Sequence, residues 1–103
     1  MFRATNTAAP GGNGPGPASQ AVPPGSDFDF RVPGVRIFTD YTNPGSPVAG
    51  LGYPGQGFGT DDGPEDGPQY NCDNGTSTTT WTHGTNRTTQ VSGWVPLCNL
   101  VRL

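Results

Sequence analysis

The sequence predicts an all-β fold, a small barrel or sandwich, with a disordered Gly/Pro-rich arm at its N-terminal end. Three observations carry that expectation. Nowhere after Pro33 do apolar residues recur at helical spacing, because Gly, Pro or Thr interrupts every window long enough for a helix. Short β-branched and aromatic runs recur instead, with turn residues between them every few positions. The Gly and Pro content, 17 and 12 of 103 residues, is not spread evenly, and residues 10–25 are nearly all Gly, Pro, Ala and Ser.

Residues 10–25 hold a single large apolar side chain, Val22, among Gly, Pro, Ala and Ser. Such a segment buries too little surface to offset the roughly 1–2 kcal/mol per residue that ordering costs. Residues 1–32 are therefore expected as the arm, and 33–103 as the domain.

The domain's strands follow in order. In Val35-Arg36-Ile37-Phe38-Thr39-Asp40-Tyr41 the alternation puts Val35, Ile37, Thr39 and Tyr41 on one face and Arg36, Phe38 and Asp40 on a mostly polar one. The cluster Asn43-Pro44-Gly45-Ser46-Pro47 turns the chain into a short strand, Val48-Ala49-Gly50-Leu51-Gly52. Pro54-Gly55 is a second turn, and Gln56, Phe58 and Thr60 share a face after it. Residues 61–69 read as an acidic loop. After Tyr70-Asn71-Cys72 and the turn Asp73-Asn74-Gly75, the Thr-rich run to Thr82 suits an exposed strand. Gly84-Thr85-Asn86-Arg87 can turn the chain, Val91 to Val95 returns, and Pro96 to Leu100 closes.

A domain of this length buries only about 60% of its unfolded surface, so a core alone is marginal. Cys72 and Cys98 can supply a staple, which argues for an oxidising compartment. Two free buried thiols are the alternative. A zinc site lacks a ligand, since His83 is the only histidine and no CxxC occurs. No cofactor or metal is expected. The net charge of −3, with five arginines and no lysine, does not resemble the footprint of a nucleic-acid binder. No apolar run approaches the length of a membrane span. Met1-Phe2-Arg3 leads into polar and small residues, so no signal peptide is expected within this sequence.

The ordered pieces Val35-Arg36, Ser46-Pro47-Val48, Gly50, Pro54-Gly55-Gln56, Trp81, Gly93-Trp94-Val95 and Leu100 resemble a bacterial SH3-like domain over roughly residues 35–101. The resemblance is closest to secreted versions from high-GC Gram-positive bacteria (actinobacteria), in which a cysteine pair often staples the barrel. It implies an SH3-like barrel, an extracellular or cell-wall address, and peptidoglycan or a peptide as ligand. The segment from Thr60 to Tyr70 is longer and more acidic than that family needs, and the hairpin from Trp81 to Gly93 is long. Both lie where ligand-contacting loops would be, so specificity does not carry over.

Tyr41, Tyr53, Tyr70, Trp81 and Trp94 are the candidate ligand-binding residues, as a shallow aromatic surface for extended peptides or sugar rings. Barrel packing explains each tyrosine equally well, and core packing is the simpler account of Trp94. Asp61, Asp62, Glu65 and Asp66 miss the EF-hand spacing and read as a solvated acidic loop. His83 has no sequence-placed partner for catalysis. Asn74-Gly75-Thr76 and Asn86-Arg87-Thr88 match the N-glycosylation pattern and mark polar, exposed loops.

These features favour a noncatalytic binding module. A virion decoration or assembly subunit using the arm, or a small secreted inhibitor, are the alternatives. An enzyme is least expected, with one histidine and no lysine to build a site.

Overall fold

The computed structural model describes residues 21–103 apart from Pro44 and Asn74. Of the expected arm, residues 1–20 lie outside the described residues, as do Pro44 and Asn74 of two expected turns and the Asn74 acceptor pattern.

Seven strands form one antiparallel sheet: β1 Phe28–Phe30, β2 Val35–Phe38, β3 Val48–Gly52, β4 Phe58–Asn71, β5 Ser77–Asn86, β6 Ser92–Pro96 and β7 Leu100–Arg102. A 3₁₀ turn, Leu97–Asn99, separates β6 from β7. The spatial order is β3-β2-β6-β5-β4-β1-β7. The all-β class expected from the turn spacing is observed.

One strand lies where the arm was expected. Phe28, Asp29 and Phe30 are all buried, pairing with Arg102, Val101 and Leu100 of β7 on one side and, through Phe28, with Phe58 of β4 on the other. The ordered domain thus begins upstream of Pro33. Three residues are too few for a periodicity signal, and their partners lie some seventy positions away.

The inner face carries the main core, formed by Phe28, Phe30, Val35, Ile37, Phe58, Val95 and Leu100. Phe30 and Phe58 meet edge to face at 5.5 Å. The sheet curls until its ends meet. A Cβ on Gly52 of β3 would lie 2.2 Å from the Phe30 ring of β1, so only glycine allows this approach. The buried Asp29 carboxylate completes the closure by accepting the N–H groups of Gly55 and Gly57 in the turn after β3.

The acidic segment is strand and not loop. β4 runs through residues 61–69 in irregular register, with Asp62, Glu65 and Asp66 opposite His83, Trp81 and Thr80. Shifts between these pairs leave Pro64 and Pro68, which have no N–H to give, outside the paired positions. The peptide Gly63–Pro64 is cis.

β5 also outlasts the turn expected at Gly84. Any Cβ there would strike Gly59 O and Phe58, so glycine serves close packing at this position. The chain turns after Asn86, a buried side chain whose Oδ1 accepts the N–H groups of Thr88 and Thr89. Its Nδ2 donates to Gln56 Oε1. That burial contradicts the exposed setting expected for the Asn86-Arg87-Thr88 pattern.

Candidate functional site

The outer face of the sheet holds a second, aromatic cluster. Strand register builds it: Trp94 of β6 lies opposite both Phe38 of β2 and His83 of β5, and Trp81 lies opposite Pro96. In a pleated sheet those positions send their side chains to one face. Tyr41 enters from the loop after β2, and Tyr70 from the far end of β4.

Phe38 and Trp81 form the floor, with 1% and 0% exposure. Trp81 meets Phe38 at 5.6 Å and Tyr70 at 5.6 Å, both edge to face, while Tyr70 also meets Phe38 at 5.7 Å. Its indole N–H donates to Pro68 O at 2.9 Å, the partner a buried indole needs. The backbone of Gly67 closes over this floor. A Cβ there would sit 2.7 Å from Tyr41 Cδ2 and 2.8 Å from Trp81 Cδ1. The Gly-Pro steps of the acidic segment thus make it thin enough to cover an indole.

Above the floor lie half-buried rings. Tyr41 and Trp94 are 4.5 Å apart and tilted by 49°, and His83 meets Trp94 edge to face at 5.1 Å. His83 Nδ1 is 2.6 Å from Asp61 Oδ1. The neighbouring hydroxyls of Thr85 and Ser92 are bonded to one another. Asp40, beside Tyr41, is held below the usual carboxylate range by the hydroxyl of Thr42, with its N–H adding to the effect.

Four of the five candidate aromatics therefore gather on one face, in two roles. Tyr41, Tyr70 and Trp94 keep partial exposure, whereas Trp81 is wholly buried and supports them from beneath. Tyr53 lies apart, exposed in the turn after β3, where its N–H and C=O both bond Gln56. His83 and Asp61 were not candidates for this surface. Their membership comes from the register of β5 against β4 and β6, which no local pattern contains.

Cys72 and Cys98 form the disulfide, with Cα atoms 6.2 Å apart. Arg31 braces it from β1's exit, donating from Nε to Cys98 O and from Nη2 to Asn99 Oδ1 while paired with Asp73. The Arg31 hydrogen bond also holds the Asp73 carboxyl below its ordinary range. Beside the disulfide lies a cavity of about 300 Å³ lined by Val32, Arg36, Tyr70, Asn71, Cys72 and Asp73, among others. Asp61, Asp62, Glu65 and Asp66 are exposed, and among the described residues no three His, Cys, Asp or Glu side chains gather where they would hold a metal ion. No helix among the described residues is long and apolar enough to cross a membrane.

No family model, curated protein or solved structure matches the chain.

Proposed function

We propose that the chain is a noncatalytic binding module of the bacterial SH3-like type. It works outside the cell or at the cell wall, and takes a peptide or peptidoglycan strand on its outer aromatic face. The observation that carries this reading is the partly exposed group Tyr41, Trp94 and His83 resting on a fully buried Phe38 and Trp81. Rings fixed from below lose little freedom when a ligand stacks on them, which favours binding over mere packing. The disulfide supports the extracellular address, because such bonds persist in oxidising compartments.

Sedimentation with insoluble cell wall tests the reading. The oxidised protein is expected to pellet with the wall, and Tyr41→Ala to weaken retention about fivefold or more, as truncating an aromatic anchor does. Tyr41 lies in the loop after β2, so the change removes no strand pairing, and an unchanged urea midpoint confirms that the sheet is intact. Failure to bind wall or wall peptide sinks the proposal.

One observation favours a second reading, an assembly subunit. The edge strand β3 carries no charged residue and exposes Val48 and Leu51. Uncharged edges of this kind invite pairing with another chain. Oligomers in gel filtration, lost on Leu51→Lys, would favour assembly over wall binding.

A further inference from the structure

We propose that the Tyr41–Trp94–His83 face receives a cationic side chain, a lysine or arginine carried on an extended peptide. The proposal rests on that face being a binding surface and adds the charge of its occupant. The argument is the distribution of charge around the rings. Asp61 stands at the His83 end with its side chain 56% exposed and one oxygen engaged by His83. Asp62 and Glu65 continue along the same strand, exposed and paired in register with His83 and Trp81 of that face. Asp40 stands at the other end, next to Tyr41, its anionic form favoured by the two hydrogen bonds from Thr42.

Three of the four described arginines are engaged away from these rings. Among the described residues, Arg31 pairs with Asp73, Arg87 lies against Gly25 and Gly59, and Arg102 covers the Phe28 ring at 4.7 Å. Arg36 stands on the same side of β2 as Phe38 and lines the cavity beside the disulfide together with Tyr70, at the Tyr70 end of the cluster. The face is thus a set of π surfaces edged by carboxylates. A ring's negative face and a neighbouring carboxylate both attract an ammonium or guanidinium group. An anionic ligand would meet repulsion from the same edge.

The test is an NMR titration of the intact, oxidised protein with the capped tripeptide acetyl-Ala-Lys-Ala-amide, and separately with the same tripeptide carrying norleucine in place of lysine. Both tryptophan indole N–H signals are followed. The lysine peptide is expected to move the Trp94 signal and leave the buried Trp81 signal nearly still. Norleucine is expected to bind about fivefold more weakly, the discrimination that a partly exposed cation–π and carboxylate pair supplies. Asp61→Asn should weaken the lysine peptide about threefold, more than it weakens the norleucine peptide, and added salt should act in the same direction.

Equal responses to the two tripeptides overturn the proposal while leaving the aromatic face as a binding surface. This comparison uses the unmodified protein, so it stands whether or not Asp61→Asn folds. A Trp94 signal indifferent to both tripeptides and to solubilised wall fragments overturns the proposal and the binding reading together. Shifts confined to Arg36, Asn71 and Cys72 place the peptide in the cavity and also overturn it.

Discussion

Asp29→Ala probes the closure of the sheet where β1 meets the turn after β3. The Asp29 carboxylate accepts the N–H of Phe30 at 2.9 Å, of Gly55 at 3.1 and 2.9 Å to its two oxygens, and of Gly57 at 3.1 Å. Alanine removes every one of these acceptors. The Gly57 bond is buried, so that donor is left without a partner, at a cost of about 1–3 kcal/mol. Losing charge-assisted bonds to the partly buried Gly55 adds a comparable amount, partly offset because no carboxylate need be desolvated. The net expectation is about 3 kcal/mol, or roughly 12–24 °C in Tm for a domain of this size. Asp29→Asn is expected to cost about half as much, since one amide oxygen remains while the NH₂ opposes the Gly55 N–H. Urea unfolding of the oxidised proteins at pH 7, read by tryptophan fluorescence, gives the ranking. An alanine variant within about 0.5 kcal/mol of the parent, the usual span of neutral surface changes, would remove Asp29 from the closure.

Three further outcomes follow from the same geometry. Replacing Cys72 and Cys98 together with serine should lower stability by about 3.5 kcal/mol, the chain-entropy value for a sequence separation of 26, measured as a urea midpoint against the oxidised parent. Gly67→Ala should cost about 1–3 kcal/mol and alter tryptophan emission, because its Cβ would overlap Tyr41 and Trp81; an unchanged spectrum and midpoint would mean that the segment does not cover the indole. Asp27, Asp40 and Asp73 have lowered carboxyl pKa values in the folded protein. For Asp27 burial acts to raise the value but is outweighed by the Thr60 hydroxyl and N–H, with smaller help from its own N–H and Arg102. Lowered folded values mean that these groups add stability above the unfolded carboxyl pKa of about 3.9 and lose it as the pH falls through the folded values. Urea midpoints should therefore be level from about pH 7 to 5 and decline below about pH 4; Asp27→Asn should flatten that decline in part.

Much of the inner face was legible locally. The Val48–Gly52 strand has the bounds its turns implied, and the alternation of Val35 and Ile37 identifies two core residues correctly. The same alternation misplaces Phe38, which stands on the side expected to be polar yet is 1% exposed. Trp81 is the parallel case, set in a Thr-rich run suited to solvent and nonetheless fully buried. Both errors have one cause. A period of two separates the faces of a strand, but it carries no information on whether a distant segment covers the outer one. Here Gly67, Pro68 and Tyr70 do so.

The sequence by itself determined the β class, the cysteine pair available for a staple and the short list of aromatic residues from which a binding face could be drawn. Those properties follow from composition and local spacing, which act over a few residues. Only the tertiary structure decided that Phe28–Phe30 belongs to the sheet, that an acidic run serves as a cover, and that Trp81 is floor while Tyr41, Trp94 and His83 are surface. Each of those outcomes depends on strand pairings between distant residues, whose free energy comes from burying both partners at once and is written in neither segment alone.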